Sequence, residues 1–421
     1  MSDVLEDLRW RGLVAQSTDE EALRAALARP CTFYVGFDPT APSLHIGSLV
    51  QILVARRLQR AGHHPLLLVG GATGLIGDPK PTAERQFNDA DVVAGWVDSV
   101  RRQIEPFVDL EGPNAARMVD NMDWTSRLSA VDLLRDVGRH FRVGRMLAKD
   151  AVAARMASDE GISFTEFSYQ VLQGMDYLEL WRRHGCTLQF GGSDQWGNIT
   201  AGVDLVHRAA QAQVHAFTVP LVTKADGTKF GKTESGTVWL DPSLTSPYAF
   251  HQFWLRAEDA AVDGYLRVFT DRSREELEAL ATATAERPGA REAQRALAHD
   301  VTALVHGEAA VASAEAAAAA LFGRGDLEAL DEPALTAALA ELPQTAVGEG
   351  ARTVVELLTA SGLSPSRSAA RRAVADGGAY VNNVAVRDGD AELAPAQLLH
   401  GRWAVLRRGK RTLAAVDARP R

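Results

Sequence analysis

The chain has 421 residues, of which 46% are hydrophobic and 24% charged, with a formal net charge of −9. That length suits two or three domains, and the composition is that of a globular protein, which excludes wholesale disorder. No apolar run approaches the roughly 18 residues that cross a bilayer, and the acidic N-terminal stretch does not resemble a signal peptide. We therefore expect a cytoplasmic protein that contacts no membrane. Two cysteines are too few for a disulfide framework.

The charge is distributed unevenly along the chain. Residues 351–421 contain 12 Lys and Arg against 6 Asp and Glu, an excess of +6, so the remainder carries −15. A basic tail on an acidic body indicates that the tail meets a polyanion, although an ordinary solvated face gives the same count. Only six of the 45 basic residues are lysines, and three of these lie between residues 224 and 232. Where arginine is otherwise preferred, such a cluster indicates a need for compact, mobile charges.

The predicted elements begin with a βαβ unit. A short helix at 20–28 precedes a strand at 31–36, and Ser43 is a plausible N-cap for a helix at 44–61. A buried strand at 65–69 then runs into the glycine-rich turn 70–79. Strand, helix, strand and glycine-rich turn predict a Rossmann-like parallel sheet, and hence an α/β fold.

Further elements complete this domain and add others. A weaker strand is predicted at 116–119 and a fourth at 187–190, with helices at 130–137, 143–157 and 165–183 between them. From about residue 247 the pattern is helical throughout, until the polarity becomes mixed near residue 323. We predict a Rossmann-like catalytic domain at 1–222, a lysine-rich loop with an α-helical domain at 223–325, a linker with some helix at 326–350 and a small α+β module at 351–421.

A histidine lies where the first predicted strand gives way to a helix. Residues 34–40 read Tyr-Val-Gly-Phe-Asp-Pro-Thr, and His45-Ile-Gly47 follows. A helix N-terminus offers free N–H groups and a partial positive charge, which suits phosphate, and His45 could donate to a phosphate oxygen as negative charge builds. The glycines leave room for a flat base or ribose. A capping histidine flanked by turn glycines is the plain alternative.

A loop rich in lysine and glycine lies at 223–233. Three lysines and two glycines fall within its eleven positions. Movable positive charges on a flexible loop suit a triphosphate whose leaving pyrophosphate is stabilised only during reaction. The alternative is a surface loop with scattered lysines.

Two polar groups belong to the second half of the predicted sheet. Tyr169, Gln173 and Asp176 are spaced i, i+4, i+7, which puts them on one face of a helix. Such a stripe is typical of a solvated face. Alternatively it lines a pocket in which Asp176 accepts a hydrogen bond from a substrate hydroxyl and the other two hold an ammonium. Gly-Gly-Ser-Asp194 follows the fourth strand, where open α/β sheets bind ligands, and an aspartate there suits a ribose hydroxyl.

Together these motifs resemble the class I aminoacyl-tRNA synthetases, and among them the bacterial tyrosyl enzymes. Residues 43–48, Ser-Leu-His-Ile-Gly-Ser, are similar to the HIGH motif of that class, and residues 229–233, Lys-Phe-Gly-Lys-Thr, to its KMSKS motif. Ser48 departs from the pattern, since the HIGH motif ends in histidine, although a serine can also donate a hydrogen bond. Further similar blocks make the resemblance cover nearly the whole chain; they lie at 34–40, 70–79, 121–124, 161–169, 191–198, 239–242 and 291–294.

The resemblance implies an enzyme that activates L-tyrosine with ATP, forming tyrosyl-adenylate and pyrophosphate, and then loads tyrosine onto the 3′ end of tRNA(Tyr). It implies a homodimer, and Mg²⁺ that arrives with ATP and is not held tightly by protein ligands. The residues implied for tyrosine are Tyr34 and Asp176 at the phenol, Asp78, Tyr169 and Gln173 at the ammonium, and Gln195 near the carboxylate. The residues implied for ATP are Gly36, Asp38, Thr40, His45, Gly47, Ser48, Gly192, Asp194 and Lys232. The catalytic residues implied are Thr40, His45, Lys229, Lys232 and Thr233.

The last segment resembles a small RNA-binding module that is shared with certain ribosomal proteins. Arg367 and Arg371 are spaced i, i+4 on one helical face, and such a surface would bind phosphates with little reading of sequence. The residues implied for RNA are Arg367, Arg371, Arg372, Arg407, Arg408 and Lys410.

Three alternatives stay open. A tryptophanyl enzyme of the same fold would need no phenol-accepting Tyr–Asp pair, and a small-molecule nucleotidyltransferase would need neither the tail nor the helical domain. A noncatalytic RNA-binding protein on a synthetase scaffold would carry a damaged site, whereas His45, Asp176, Lys229 and Lys232 are all present.

Overall fold

A computed structural model describes residues 3–79, 88–159, 161–223, 231–233, 236–346 and 353–419, with the backbone alone at 150–151 and 232–233. The chain forms two compact units, Met1–Asp241 with Glu258–Ala279 and Pro242–Ala257 with Leu280–Arg421. Within the described ranges, every helix is too short or too polar to cross a bilayer.

The first part of the chain alternates strands and helices. Its strands are β1 (Gln16–Ser17), β2 (Thr32–Phe37), β3 (His64–Val69), β4 (Arg117–Asp120), β5 (Cys186–Gly192) and β6 (His215–Val219). Its helices are α1 (Val4–Trp10), α2 (Glu20–Leu27), α3 (Ile46–Arg60), α4 (Gly71–Gly74), α5 (Ala90–Ile104), α6 (Met122–Thr125), α7 (Ala130–Asp132), α8 (Val143–Leu147), α9 (Asp150–Met156), α10 (Phe164–His184) and α11 (Trp196–Ala210).

The rest of the chain is mainly helical until the C-terminal sheet. Its helices are α12 (Pro247–Leu255), α13 (Asp259–Phe269), α14 (Arg274–Glu286), α15 (Glu292–His306), α16 (Glu308–Leu321), α17 (Glu332–Ala340), α18 (Val354–Ala360) and α19 (Arg367–Ala375). Its strands are β7 (Lys232–Thr233), β8 (Gly236–Thr237), β9 (Gln344–Ala346), β10 (Ala379–Val381), β11 (Val384–Ala385), β12 (Trp403–Arg408) and β13 (Thr412–Asp417).

The first unit is built on a six-stranded sheet in the order β1-β6-β5-β2-β3-β4, parallel throughout except that β1 runs antiparallel to β6. Its central strands are buried on both faces, as residues 33–35 of β2 and residues 66–69 of β3 show. A parallel sheet covered by helices requires such apolar strands. The predicted α/β fold with a Rossmann-like parallel sheet is therefore confirmed. The carboxyl ends of β2, β3 and β5 lie along one edge, where open sheets bind ligands.

The prediction that Ser43 is an N-cap is wrong. Helix α3 begins at Ile46, and its N-cap is His45, whose backbone is extended (φ −124°, ψ 172°). The helix starts late because residues 44–46 pair with residues 238–240: the Leu240 N–H donates to the Leu44 oxygen at 2.9 Å, and the Ile46 N–H donates to the Val238 oxygen at 3.2 Å.

Three other elements differ from the prediction. The helix predicted at 143–157 is broken into α8 and α9, because the backbone of Lys149 is extended (φ −69°, ψ 132°) where its side chain turns inward to Asp78. The helix predicted at 130–137 is α-helical only in α7, after which residues 133–137 form a π-helical turn. Strand β6 was not predicted from the sequence.

The second unit holds both the helices that follow residue 280 and the C-terminal sheet. This sheet has the order β11-β10-β12-β13-β9, with β9 parallel to β13 and the other neighbours antiparallel. The segment predicted as a linker contains α17 and β9, and Leu335 and Leu339 of α17 are buried in one core with Trp403 of β12. The helical segment and the C-terminal module therefore share a hydrophobic core. The four-part division of the chain remains a prediction.

Candidate active site

A cavity of about 890 Å³ opens in the first unit at the carboxyl edge of the sheet. Its lining includes most of the residues that the sequence predicted for tyrosine and ATP, which are Tyr34, Gly36, Asp38, Thr40, His45, Gly47, Ser48, Asp78, Tyr169, Gln173, Asp176, Asp194 and Gln195. Gly192 lines a smaller cavity of about 280 Å³ together with His45, Gly47 and Asp194. Lys229 lies outside the described residues, and Lys232 and Thr233 are described by their backbone alone.

Asp176 lies on α10 at the closed end of the cavity and is only 1% exposed. Trp124 donates its indole N–H to Asp176 Oδ1 at 2.8 Å, and Asn121 donates its amide N–H to Asp176 Oδ2 at 3.0 Å. Burial raises the pKa of Asp176 to about 7, although these two hydrogen bonds act in the opposite direction. The carboxyl group therefore changes charge near neutral pH.

Tyr34 of β2 lies beside this carboxyl group. Its side chain is 2% exposed, and its hydroxyl has no hydrogen-bond partner among the described residues. Burial, and then the charge of Asp176, raise the pKa of Tyr34 well above its ordinary value, so the phenol is neutral. A buried hydroxyl without a partner is unfavourable by about 1–3 kcal/mol, which makes it a place where a ligand's polar group is expected.

Asp38 joins the end of β2 to two other parts of the site. Tyr169 of α10 donates its hydroxyl to Asp38 Oδ2 at 2.6 Å, and Thr73 of α4 donates to Asp38 Oδ1 at 2.7 Å. Tyr169 and Asp176 are both buried, so the stripe at 169, 173 and 176 faces the cavity and not solvent. Gln173 Oε1, between them on this face, has no partner among the described residues and remains an acceptor.

Asp78 is held by a second polar network. Gln195 donates to Asp78 Oδ2 at 2.9 Å, and Asn198 donates to Asp78 Oδ1 at 3.0 Å. The ammonium of Lys149 lies 3.5 Å from Asp78 Oδ1 and also donates to the Asn198 side chain. Lys149 and Asn198 thus orient the carboxylate that the sequence predicted as an ammonium ligand.

His45 occupies the entrance side of the cavity. Its Nδ1 accepts the backbone N–H groups of Gly47 at 3.0 Å and Ser48 at 3.3 Å, as an N-cap does. The neutral ring therefore carries its proton on Nε2, since Nδ1 serves as the acceptor. A Cβ atom at Gly47 would lie 2.8 Å from His45 Cε1, so the glycine is needed for the ring to fold back over its own helix.

The sequence analysis did not identify the residues that position the predicted ligand-binding side chains. Asn121 and Trp124 lie in a segment recognised by resemblance, yet no role was predicted for them, and the same is true of Asn198. Lys149 had one available signal: it is one of only six lysines in the chain. Spacing along the sequence could not show that its side chain reaches a carboxylate 71 positions away.

In the second unit, the residues predicted for RNA lie on α19, at the end of β12 and, for Lys410, in the turn that follows it. Arg367 pairs with Glu356 at 3.1 Å, and Arg371 makes two hydrogen bonds to Asp390 at 2.8 and 2.7 Å. On β12, the guanidinium of Arg407 stacks on Tyr380, and Arg408 donates to the Leu363 carbonyl. Arg372 and Lys410 are exposed.

Two family models match the chain. The first, described as "tRNA synthetases class I (W and Y)", matches residues 26–323. The second, described as "Tyrosine--tRNA ligase SYY-like C-terminal domain", matches residues 334–416 and so begins within α17, before the boundary predicted at residue 351. The chain is a class I tRNA synthetase, as its fold, its cavity and its match to the first family model together show.

Proteins with similar sequences show which member of this class of synthetases the chain resembles. A tyrosine–tRNA ligase of Streptomyces griseus is 63% identical over 100% of both chains, and one of Kineococcus radiotolerans is 64% identical over 99% of each. The chain belongs to the tyrosine–tRNA ligase family of these synthetases.

Solved structures agree with this assignment. A C-terminally truncated mitochondrial tyrosyl-tRNA synthetase of Aspergillus nidulans superposes with a TM-score of 0.67 at 29% identity, covering 75% of this chain and 92% of that one. A tryptophanyl-tRNA synthetase of Encephalitozoon cuniculi has a TM-score of 0.56 at 15% identity, covering 73% of this chain and 89% of that one, and shares the fold alone. The tryptophanyl, nucleotidyltransferase and noncatalytic alternatives are not favoured by these relatives.

Proposed function

We propose that this enzyme activates L-tyrosine with ATP in the cavity of the first unit and then transfers tyrosine to the 3′ end of tRNA(Tyr). The observation that carries the proposal is the buried pair of Tyr34 and Asp176, a hydroxyl without a partner among the described residues beside a carboxyl group, at the closed end of a cavity whose entrance holds His45. A substrate phenol fits this pair, because it can accept from the Tyr34 hydroxyl and donate to Asp176.

The ammonium of tyrosine would bind three acceptors. Tyr169 donates its own hydrogen to Asp38, which leaves its hydroxyl oxygen to accept from the ligand. Gln173 Oε1 is a second acceptor, and Asp78 supplies the third together with a negative charge. Gln195 uses one amide hydrogen for Asp78, and its second hydrogen would donate to the tyrosine carboxylate.

ATP, with the Mg²⁺ that accompanies it as part of the substrate, would occupy the entrance side. The ribose and base would lie against glycines and acidic groups, and the phosphates near the N-terminus of α3. The proposed nucleotide residues are Gly36, Asp38, Thr40, His45, Gly47, Ser48, Gly192 and Asp194. Lys229, Lys232 and Thr233 would contact the pyrophosphate.

In the first step a tyrosine carboxylate oxygen attacks the α-phosphorus, and the bond to the bridging β-phosphate oxygen breaks, so that pyrophosphate leaves. His45 would donate its Nε2 hydrogen to a phosphate oxygen as charge builds there, because its Nδ1 is already used by the helix cap. In the second step a hydroxyl of the terminal tRNA ribose attacks the carbonyl carbon, and AMP leaves. No covalent enzyme intermediate is involved, so catalysis rests on positioning and on charge stabilisation.

We further infer a cytoplasmic homodimer that binds tRNA through its C-terminal module. Support for the dimer comes from large apolar side chains that are exposed within one stretch of the first unit; these are Val131, Leu134, Val143, Leu147, Met156 and Phe164. Exposed apolar surface concentrated in one segment is typical of a protein interface. The basic excess of residues 351–421 supports the contact with RNA.

Exchange of labelled pyrophosphate into ATP tests the activation step. The purified chain is expected to support exchange with tyrosine and not with tryptophan or phenylalanine. Exchange driven by tryptophan would refute the phenol-reading role of Tyr34 and Asp176. A folded protein without exchange for any amino acid would refute the enzyme assignment and favour the noncatalytic alternative.

A further inference from the structure

We propose that Gln103 is a positioning residue for the ATP half of the reaction, acting through the two chain segments that carry the signature motifs. This proposal rests on the proposed function, and concerns a residue outside the predicted tyrosine and ATP sets. Gln103 belongs to α5, and its side-chain oxygen reaches the turn that precedes His45.

One side-chain oxygen organises this turn. Gln103 Oε1 accepts the backbone N–H of Leu44 at 2.9 Å, and it lies 3.0 Å from the hydroxyl of Ser43. The single hydrogen of Ser43 can serve Gln103 or the Leu44 carbonyl 2.8 Å away, but the contact with the Leu44 N–H does not depend on that choice. Ser43 is buried, so its polar atoms need protein partners.

The same turn is joined to the segment that follows the KMSKS-like motif. Ser43 Oγ accepts the N–H of Asp241 at 3.2 Å. The backbone of 44–46 pairs with that of 238–240, so that His45 lies opposite Trp239 in an antiparallel bridge. Gln103 therefore supports a junction that connects the histidine of one motif to the residues just after the other.

The junction continues to Gly231, inside the KMSKS-like motif. Val238 donates its N–H to the Gly231 oxygen at 2.9 Å. Gly231 has φ +84°, and a Cβ atom there would lie 2.7 Å from Cγ1 of Ile46, so that only glycine allows this approach. The first residue of α3 and the backbone next to Lys232 are thus in direct contact, and a shift of one displaces the other.

The role of Gln103 in this arrangement is to accept the backbone N–H of Leu44. Loss of its oxygen leaves the Leu44 N–H without its acceptor and loosens the turn that sets the position of His45 relative to the KMSKS-like segment. Tyr34 and Asp176 lie on β2 and α10, which do not belong to this junction, and Asp176 keeps its hydrogen bonds from Asn121 and Trp124. The defect should therefore appear in adenylate formation and not in tyrosine affinity.

Two variants of nearly equal size separate the acceptor from the bulk of the side chain. Gln103→Met removes the oxygen, whereas Gln103→Glu retains an acceptor for the Leu44 N–H. We expect Gln103→Met to slow adenylate formation by roughly tenfold to a hundredfold, since a misplacement of about 1 Å has effects of that size. Gln103→Glu should retain most of the wild-type rate. Tyrosine affinity, measured by equilibrium dialysis without ATP, should stay unchanged in both.

Arg102→Met serves as the matched control, because Arg102 is exposed, neighbours Gln103 on α5 and makes its side-chain hydrogen bond to Ser99, within its own helix. It should behave as wild type. An unchanged rate in Gln103→Met would overturn the proposal, as would equal loss of rate in the Met and Glu variants. A wild-type enzyme that fails to exchange pyrophosphate with tyrosine would instead overturn the proposed function before any variant is compared.

Discussion

Trp124 donates its indole N–H to Asp176 at 2.8 Å, across 52 positions of sequence, and so supports the carboxyl group that the proposed mechanism aims at the substrate phenol. This hydrogen bond helps to explain how the Asp176 side chain can ionise at a position that is almost completely buried. Burial raises the pKa of Asp176 to about 7, and without its two donors the charged form would be less stable still. The indole is therefore part of the proposed tyrosine pocket, because it fixes the carboxyl group by a hydrogen bond.

Replacing Trp124 with phenylalanine should weaken tyrosine binding. The variant keeps an aromatic ring under Arg183 but removes the hydrogen bond to the charged form of Asp176. Hydrogen bonds to charged groups contribute about 1.5–3 kcal/mol, so we expect a loss of roughly tenfold or more in tyrosine affinity at pH 7. Equilibrium dialysis measures it, and Trp10→Phe, a change remote from the cavity, is the control. Equal affinities in both variants would contradict the role of the indole.

Tyrosine affinity should rise with pH through about 7. The folded-state pKa of Asp176 is raised to about 7, so the carboxyl group is protonated below that pH and ionised above it. The ionised form is the better acceptor for a phenol O–H, and binding below pH 7 should release a proton. The measurement is made without ATP, because the terminal phosphate of ATP titrates in the same pH range. An affinity that stays flat from about pH 5.5 to 8.5 would contradict a titrating Asp176.

Two variants of His45 separate its capping role from its catalytic role. The asparagine side chain introduced by His45→Asn can still accept the N–H groups of Gly47 and Ser48, whereas the alanine of His45→Ala cannot. Both variants lose the imidazole Nε2 donor, although asparagine keeps an amide N–H nearer the backbone. We expect His45→Ala to slow adenylate formation by roughly a hundredfold or more and His45→Asn to slow it less, with little change in tyrosine affinity in either. Only the alanine variant should lose about 1 kcal/mol of folding stability. Normal adenylate formation in His45→Ala would remove His45 from the chemistry.

Charge reversal in the C-terminal module should affect tRNA and not activation. Deleting residues 351–421 would also remove the Trp403 half of a core shared with α17, so point variants are the cleaner test. Arg372→Glu and Lys410→Glu change exposed residues. Each should raise the KM for tRNA and leave pyrophosphate exchange intact. Each should also lower the salt dependence of tRNA binding by an amount that corresponds to about one phosphate contact. Undiminished charging in the double variant would argue against the RNA role of these two residues.

Phe164→Asp should weaken the proposed dimer. Phe164 is 76% exposed in the single chain, and Val384, in the C-terminal module, is 70% exposed and provides a matched control. Burying one such side chain contributes about 1.5–3 kcal/mol, so the dissociation constant should rise roughly tenfold or more in Phe164→Asp. Sedimentation equilibrium measures the change, with Val384→Asp expected to behave as wild type. A wild-type chain that sediments as a monomer would refute the dimer, and equal effects of the two variants would place its interface elsewhere.

The motifs of this protein could be predicted because each is local. The first motif places a strand, a glycine turn and a histidine within 14 consecutive positions. The second depends only on helical geometry, which puts residues 169, 173 and 176 on one face of a helix. Whether that stripe faced solvent or a pocket could not be predicted, because burial depends on what packs against the helix. The position of Ser43 illustrates the same limit: its composition favours an N-cap, yet pairing with residues near 240 moves the start of α3 to Ile46.

The sequence by itself determined the α/β class, the two signature motifs and the residue types available for tyrosine and ATP. Only the tertiary structure decided which groups support them: Trp124 behind Asp176, Lys149 beside Asp78 and Gln103 beneath the turn before His45. The physical reason is that local backbone geometry is encoded by neighbouring residues, whereas the partner of a buried polar atom is chosen by packing between segments far apart in the chain.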